Sequence, residues 1–369
     1  MAKAEETILE IDLKALINNY QYLRSRIKPE TKFMAVVKAY GYGSDAQEIA
    51  LCLQHIGVDY FAVAYVSEGI SLRNAGITKP ILVLHPQKVH FKVLIEHTLE
   101  PSIYSNSILS DFILTAQEMD AKDYPIHLKF NTGLNRLGFS AEELPEITKL
   151  IHNQDIVKVI AILSHLAATE DVNETEFTKL QLKRFDFICQ QVDATFKSKP
   201  FKHVLNTSGI LNYPQAQFQM VRSGIGLYGY GNHPDVDMEL SPVATLKTII
   251  AQKHSIPSGE SVGYNRKYKS NSETITATLP VGHADGIGRQ YGQGKTCVLV
   301  NGQLAPIIGN VCMDMIMIDV SEIECSEGDE VIIFGKGLPA NDFSQTAQTI
   351  SYELITGLSQ RIKRVVINN

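Results

Sequence analysis

The chain has no tryptophan, and its five cysteines (Cys52, Cys189, Cys297, Cys312, Cys325) are scattered, with no CxxC pair among them. An odd, dispersed set excludes a disulfide framework and a zinc ribbon, and fits a reducing cytoplasm. The eleven histidines form no HExxH or HxH pair, so no metal site is signalled. No apolar run approaches bilayer-spanning length, and the N-terminus MAKAEETILEIDLKAL lacks the apolar core of a signal peptide. Basic residues are not in excess either. With 34 Lys plus Arg against 40 Asp plus Glu the net charge is −6, and no basic run is interleaved with aromatics. General attraction to nucleic acid or anionic lipid is thereby excluded, and a cytoplasmic protein with a small-molecule ligand is expected.

What is present is an ordinary globular composition, 44% hydrophobic and 20% charged, over 369 residues, enough for two domains. Asp12 is placed to cap a first helix with apolar positions at 13, 16, 17, 20 and 23. Short β-branched runs then alternate with helical patterns. Strands are expected at 33–37, 59–63, 80–84, 98–103, 126–130, 157–163, 202–206 and 218–222. Helices are expected between them at 44–56, 66–75, 105–119, 140–152 and 174–192. Eight strand–helix units predict an α/β chain whose residues 12–240 close into a parallel (β/α)8 barrel. After residue 240, prolines at 242, 257 and 280 punctuate alternating runs, and Asn301-Gly302 is a hairpin signal. Residues 241–369 therefore read as a mainly β domain with one helix near 343–355 and a last strand in RIKRVVI. The alternating 1–11 segment pairs with that domain in this reading.

The run FMAVVKAYGYG (33–43) delivers a lysine, Lys38, at the mouth of a strand buried on both faces. Desolvation there lowers a lysine's pKa and suits a Schiff-base nucleophile, although taken alone this lysine reads more readily as one snorkelling from a strand end. Gly41 and Gly43 are read as allowing close approach to a bound group. Barrel geometry puts functional groups just after the strands, and Lys129, Arg136, His165, Asn206 and Arg222 all fall there. The loops Asn206-Thr207-Ser208-Gly209 and Ser223-Gly224-Ile225-Gly226 offer hydroxyls and open N–H groups, an anion nest where barrels commonly hold phosphate. A lysine nucleophile opposite a phosphate cradle points to pyridoxal phosphate. Two decoys are set aside. GIGLYG (224–229) matches a dinucleotide fingerprint but follows the last strand instead of opening a βαβ unit, and GIGRQYGQGKT (286–296) has Arg289 where a P-loop needs glycine.

VVKAYGYG, HLKFNTGLNRLGF, SHLAATED, MVRSGIGLYG, GESVGYNRKY, LPVGHADG, GNVCMDMIMIDV and ISYE, in this order and spacing, resemble the alanine racemase family over nearly the whole chain. The resemblance implies a fold-type III pyridoxal phosphate enzyme acting as a head-to-tail homodimer with shared sites. It implies that Lys38 holds the cofactor and serves as one catalytic base, and that Tyr264 from the partner subunit is the other. Tyr42, Thr207, Gly224, Ile225 and Tyr352 match phosphate-binding positions. Arg222 matches the residue at the pyridine nitrogen, with His165 and Asn206 counted among the cofactor-side residues and His165 behind Tyr264. Arg136 and the Met313 N–H match substrate-carboxylate contacts, and Lys129 matches a lysine that can be carbamylated. The implied activity is conversion of L-alanine to D-alanine for peptidoglycan.

The sequence departs from the family at His283, usually tyrosine, at Asn310, usually arginine, and at Asn131, usually aspartate. The segment after Lys38 departs as well. These changes leave open a racemase of broader amino-acid range. A decarboxylase of the same fold type would place an acid at Arg222 and lack Tyr264, and a non-enzymatic cofactor carrier would lack residues 241–369.

Overall fold

The computed structural model describes residues 4–152, 154–231 and 237–367. The chain opens with β1 (Ile8–Asp12) and runs directly into the helix Leu13–Ser25. Asp12 caps that helix, its Oδ1 accepting from Ala15 N at 2.9 Å, an arrangement worth about 1 kcal/mol. Leu13, Leu16, Tyr20 and Leu23 form its buried stripe.

Eight parallel strands follow: β2 (Lys32–Val36), β3 (Tyr60–Val63), β4 (Ile81–Val83), β5 (Glu100–Ile103), β6 (Tyr124–Lys129), β7 (Val157–Leu163), β8 (Phe201–His203) and β9 (Met220–Ser223). They pair in sequence from β2 to β8, and β2 also pairs with β9, so the sheet curls into a nearly closed barrel. Phe33, Met34 and Ala35 are fully buried, as the unbroken apolar run requires, and each large side chain so buried contributes roughly 1.5–3 kcal/mol. Among the described residues β8 and β9 share no strand ladder; the seam is laced by Arg222 N donating to Leu205 O (3.0 Å) and Lys202 N to Gln219 Oε1 (2.9 Å).

The rest of the chain builds a mainly β domain from β10 (Ala244–Ile249), β11 (Gln252–Ile256), β12 (Ser261–Val262), β13 (Tyr268–Lys269), β14 (Thr274–Leu279), β15 (Cys297–Val300), β16 (Gln303–Ile308), β17 (Ile316–Asp319), β18 (Glu330–Phe334) and β19 (Lys363–Ile367). Nine strands form one sheet in the order β11-β14-β17-β16-β15-β18-β10-β1-β19, with β1 antiparallel to β10 and parallel to β19. Asn301 (φ 47°) and Gly302 (φ 79°) both adopt the left-handed conformation between β15 and β16, the backbone a two-residue hairpin demands.

Two local expectations are corrected. The single helix expected at 343–355 is two, Ala340–Gln345 and Ser351–Thr356. Gln348 turns left-handed (φ 57°) and Thr349 N folds back on Ser344 O (3.2 Å), which ends the first helix and re-aims the second. The seventh barrel strand, expected to reach residue 206, stops at His203 because Asn206 caps a new helix, Thr207–Asn212, through Gly209 N at 2.8 Å.

Candidate active site

Strand β2 delivers Lys38 to the barrel's C-terminal mouth, and the backbone then turns left-handed for five residues. Ala39, Tyr40, Gly41, Tyr42 and Gly43 all have φ between 52° and 79°. For the three with side chains this costs about 1–2 kcal/mol each. Compensation comes from hydrogen bonds: Gly41 N to Val37 O (3.0 Å), Gly43 N to Ala39 O (2.8 Å), and Ala39 N to Glu68 Oε1 (2.6 Å). Glu68 Oε2 also accepts from Ala64 N and Tyr65 N, so one carboxylate ties the lysine turn to the end of β3. Neither glycine lines the cavity at the barrel mouth, where the sequence expected room for a bound group. Gly43 presses on backbone instead, where a Cβ would fall 1.9 Å from Ile355 O, and a Cβ on Gly41 would be 3.0 Å from the Ala46 backbone.

Above the strand ends lies a cavity of about 660 Å³. The barrel residues given a role by the family resemblance all line it: Lys38, Tyr42, Lys129, Arg136, His165, Asn206, Thr207, Arg222, Gly224 and Ile225, joined by Tyr352 from the β domain. Four are cationic side chains, and among the described residues no carboxylate lines the wall. Mutual repulsion and burial act on every base present. Burial, then Arg136, lower the Lys38 pKa against the partial support of Glu68. Lys129, buried beside Arg136, Arg222 and Lys38, is lowered to about 8, mainly by desolvation. Burial and the same cations hold His165 well below the usual histidine range, keeping it neutral.

At one end hydroxyls and open backbone converge. Tyr42 is buried and stacks on Tyr228 (4.5 Å between centroids), with Tyr352 6.2 Å away. Thr207 Oγ1 lies 2.9 Å from Ser223 Oγ and accepts from Gly226 N at 3.3 Å. Asn206 holds its place as a cap, its Oδ1 also accepting from Thr169 Oγ1 (2.8 Å). At the other end, Arg222 is 4% exposed. Its Nη1 donates to His203 Nδ1 (2.7 Å) and His203 O (3.0 Å). Nη2 reaches Ser164 O (2.7 Å), Val204 O (3.1 Å) and His165 Nδ1 (3.4 Å). Nε is the one N–H left uncommitted among the described residues. Burial lowers this guanidinium only to about 10, so it remains a cation.

Tyr264 and Met313 stand apart from this cavity. Both lie on the β domain, 70% and 59% exposed. Tyr264 follows Gly263 (φ 75°), and its carbonyl accepts from Asn310 Nδ2 (3.0 Å), itself braced by Gln293 (3.1 Å). Met313 O accepts from Ala284 N (3.0 Å), beside exposed His283. Glu68 and His203 were not singled out from the sequence. The signal for His203 was a polar residue facing inward on a barrel strand; Glu68 reads as an ordinary helix-start acid.

The family model described as "Alanine racemase, N-terminal domain" matches residues 11–232, and "Alanine racemase, C-terminal domain" matches 243–366. The chain belongs to the alanine racemase family. The alanine racemase of Clostridium novyi is 35% identical over 372 residues, covering 98% of this chain and 95% of that protein. The solved alanine racemase of Clostridium difficile 630 superposes with a TM-score of 0.93 at 32% identity, covering 100% of this chain and 97% of that one. That of Bartonella henselae, described as having covalently bound pyridoxal phosphate, superposes at 0.89 and 30% identity, covering 99% and 100%. Fold and enzyme class follow: a barrel plus β-domain racemase. Among the described residues no helix is long and apolar enough to cross a membrane.

Proposed function

We propose that this enzyme interconverts L- and D-alanine with pyridoxal phosphate in the cavity and two bases, Lys38 and Tyr264 of the partner subunit. The observation that carries the reading is the cavity itself: a lysine of lowered pKa, a buried arginine and a hydroxyl-rich cradle share one space without a carboxylate. Tyr42, Tyr352, Thr207, Gly224 and Ile225 suit a phosphate, since Gly224 leaves the room beside the Tyr42 hydroxyl that any side chain would fill. Lys38 would hold the aldehyde carbon, and the uncommitted Arg222 Nε–H would face the pyridine nitrogen.

When bound to the amino acid's nitrogen, pyridoxal phosphate acidifies the Cα proton. Racemisation removes that proton from one face and returns one to the other, so two bases must flank the substrate. Lys38 Nζ serves one face, its lowered pKa making the neutral amine accessible. Tyr264 serves the other. Its exposure in a single chain, shared by Met313 on the same edge, is what a head-to-tail dimer would use, one subunit completing the other's cavity. Arg136 and the Met313 N–H would hold the substrate carboxylate. Arg222, permanently cationic, opposes protonation of the pyridine nitrogen beside it and so limits charge delocalisation to what proton exchange needs. Neutral Lys129 Nζ can attack carbon dioxide, forming an N–C bond and releasing one proton. The resulting carbamate would be an anionic partner for Arg136. The product D-alanine would feed peptidoglycan in the cytoplasm.

The test is solvent exchange. The purified protein supplied with pyridoxal phosphate should exchange the Cα proton of both alanine enantiomers for deuterium; exchange of neither would refute the proposal. A broader racemase is the second reading, supported by exposed His283 beside Met313. Turnover of serine and larger amino acids at rates near that of alanine would establish it.

A further inference from the structure

Beneath the cavity floor a file of buried polar side chains continues toward the strands' N-terminal ends. His203 Nε2 lies 3.3 Å from His127 Nδ1, and His127 Nε2 lies 2.8 Å from Glu100 Oε2, which also accepts from the Tyr60 hydroxyl at 3.0 Å. With Arg222 at its head, the file draws on β9, β8, β6, β5 and β3. Both histidines are fully buried, and Arg222, Glu100 and Tyr60 are each less than a tenth exposed.

The chemistry of the donors gives the file one direction. A guanidinium only donates, so the His203 Nδ1 facing Arg222 is bare and Nε2 carries the proton. That proton meets His127 Nδ1, which is therefore bare as well, and His127 Nε2–H donates to Glu100. The carboxylate accepts and ends the run. Every donor points from Arg222 toward Glu100. Reversing either ring would set two N–H groups face to face in a dry core.

Arg222 needs this. Its remaining Nη contacts are carbonyls and the neutral His165 ring, so among the described residues no carboxylate touches it. A buried cation without counter-charge is costly. Arg73, which feels the Glu100 charge, spends its donors on the carbonyls of Ile77, Lys79, His97 and Thr98.

We propose that Glu100, acting through His127 and His203, is the relayed counter-charge that orients Arg222, and so a positioning residue for the guanidinium at the cofactor's pyridine nitrogen. The second half of this statement rests on the role of Arg222 given above.

Nitrogen-15 spectra of the histidine rings test the file in protein with or without cofactor. Both His127 and His203 should be neutral and protonated at Nε2; either ring found protonated at Nδ1 or cationic overturns the proposal. Glu100→Gln keeps the shape and removes the charge, while Arg222, which can only donate, still holds both rings in the same tautomer. Its kcat should fall about tenfold, the low end for losing an outer orienting partner. KM should stay within about twofold, and the lysine-bound cofactor's visible band should be retained. The His203 ring should keep its proton on Nε2, because Arg222 still donates to Nδ1. Full kcat in folded, cofactor-loaded E100Q overturns the proposal, and if that variant fails to fold, the wild-type ring spectra decide. A wild-type protein with no cofactor band would instead refute the cofactor reading and leave the tautomer result standing.

Discussion

The Tyr42 hydroxyl occupies the space that a side chain on residue 224 would need: a Cβ built on Gly224 falls 2.1 Å from Tyr42 Oη. Stacking on Tyr228 leaves the tyrosine no retreat. Gly224→Ala should therefore displace the hydroxyl and weaken pyridoxal phosphate binding by about tenfold, or roughly 1.4 kcal/mol. Equilibrium dialysis of the cofactor checks this, and an unchanged Kd would separate this pair from the phosphate site.

Lys38→Ala should lose the visible band of the lysine-bound cofactor and bring turnover to background. Retained colour under conditions that remove loosely held cofactor would place the covalent anchor elsewhere.

Tyr264→Phe should abolish Cα exchange from one alanine enantiomer while the other still exchanges through Lys38. Because each site would take its two bases from different chains, inactive Lys38→Ala and Tyr264→Phe proteins should complement when mixed. Random pairing makes half the dimers mixed, each with one intact site, so activity should return to about a quarter of wild type. No recovery after subunit exchange has been verified would mean that both bases come from one chain.

Lys129 predicts a conflict between stability and function. Its folded pKa of about 8 lies below the ordinary 10.5, so between these values the unfolded chain binds more protons and stability rises with pH. Below pH 8 the full cost is present, at most about 3 kcal/mol for a shift of this size. In cofactor-free protein kept without bicarbonate, Lys129→Met should be about 1–3 kcal/mol more stable than wild type at pH 7, by urea denaturation. The gap should narrow toward pH 10. Turnover should fall. A destabilised Met variant at pH 7 would contradict the assignment of burial as the main cause.

Much of this was readable in advance because its signals are local. An apolar run without alternation announces a strand buried on both faces, and Phe33–Val37 is one. Asn301-Gly302 specifies its own hairpin through two positive φ values. Residues at strand ends share one mouth once a barrel closes, which is why Lys38, Arg222 and Thr207 could be grouped before any contact was known. What stayed hidden depends on distant partners. Ala39, Tyr40 and Tyr42 have no intrinsic reason to turn left-handed; the Glu68 carboxylate and the packing of Gly43 on Ile355 impose it. Glu100, His127 and His203 each read as a stray polar residue in a strand, and only closure of the barrel sets them in line. The split near Gln348 likewise follows from Thr349 folding back on buried Ser344, not from a helix breaker such as proline or glycine.

The seam between β8 and β9 has no ladder, and much of what crosses it belongs to Arg222: its backbone N–H bonds Leu205 O, and its side chain bonds the carbonyls of His203 and Val204. One residue is thus both rivet and electrode. The electronic character of the site cannot be retuned at this position without loosening the joint that makes the barrel round. Altered chemistry at Arg222 would be reached more easily from beneath, by editing the residues it leans on, than by replacing the arginine itself.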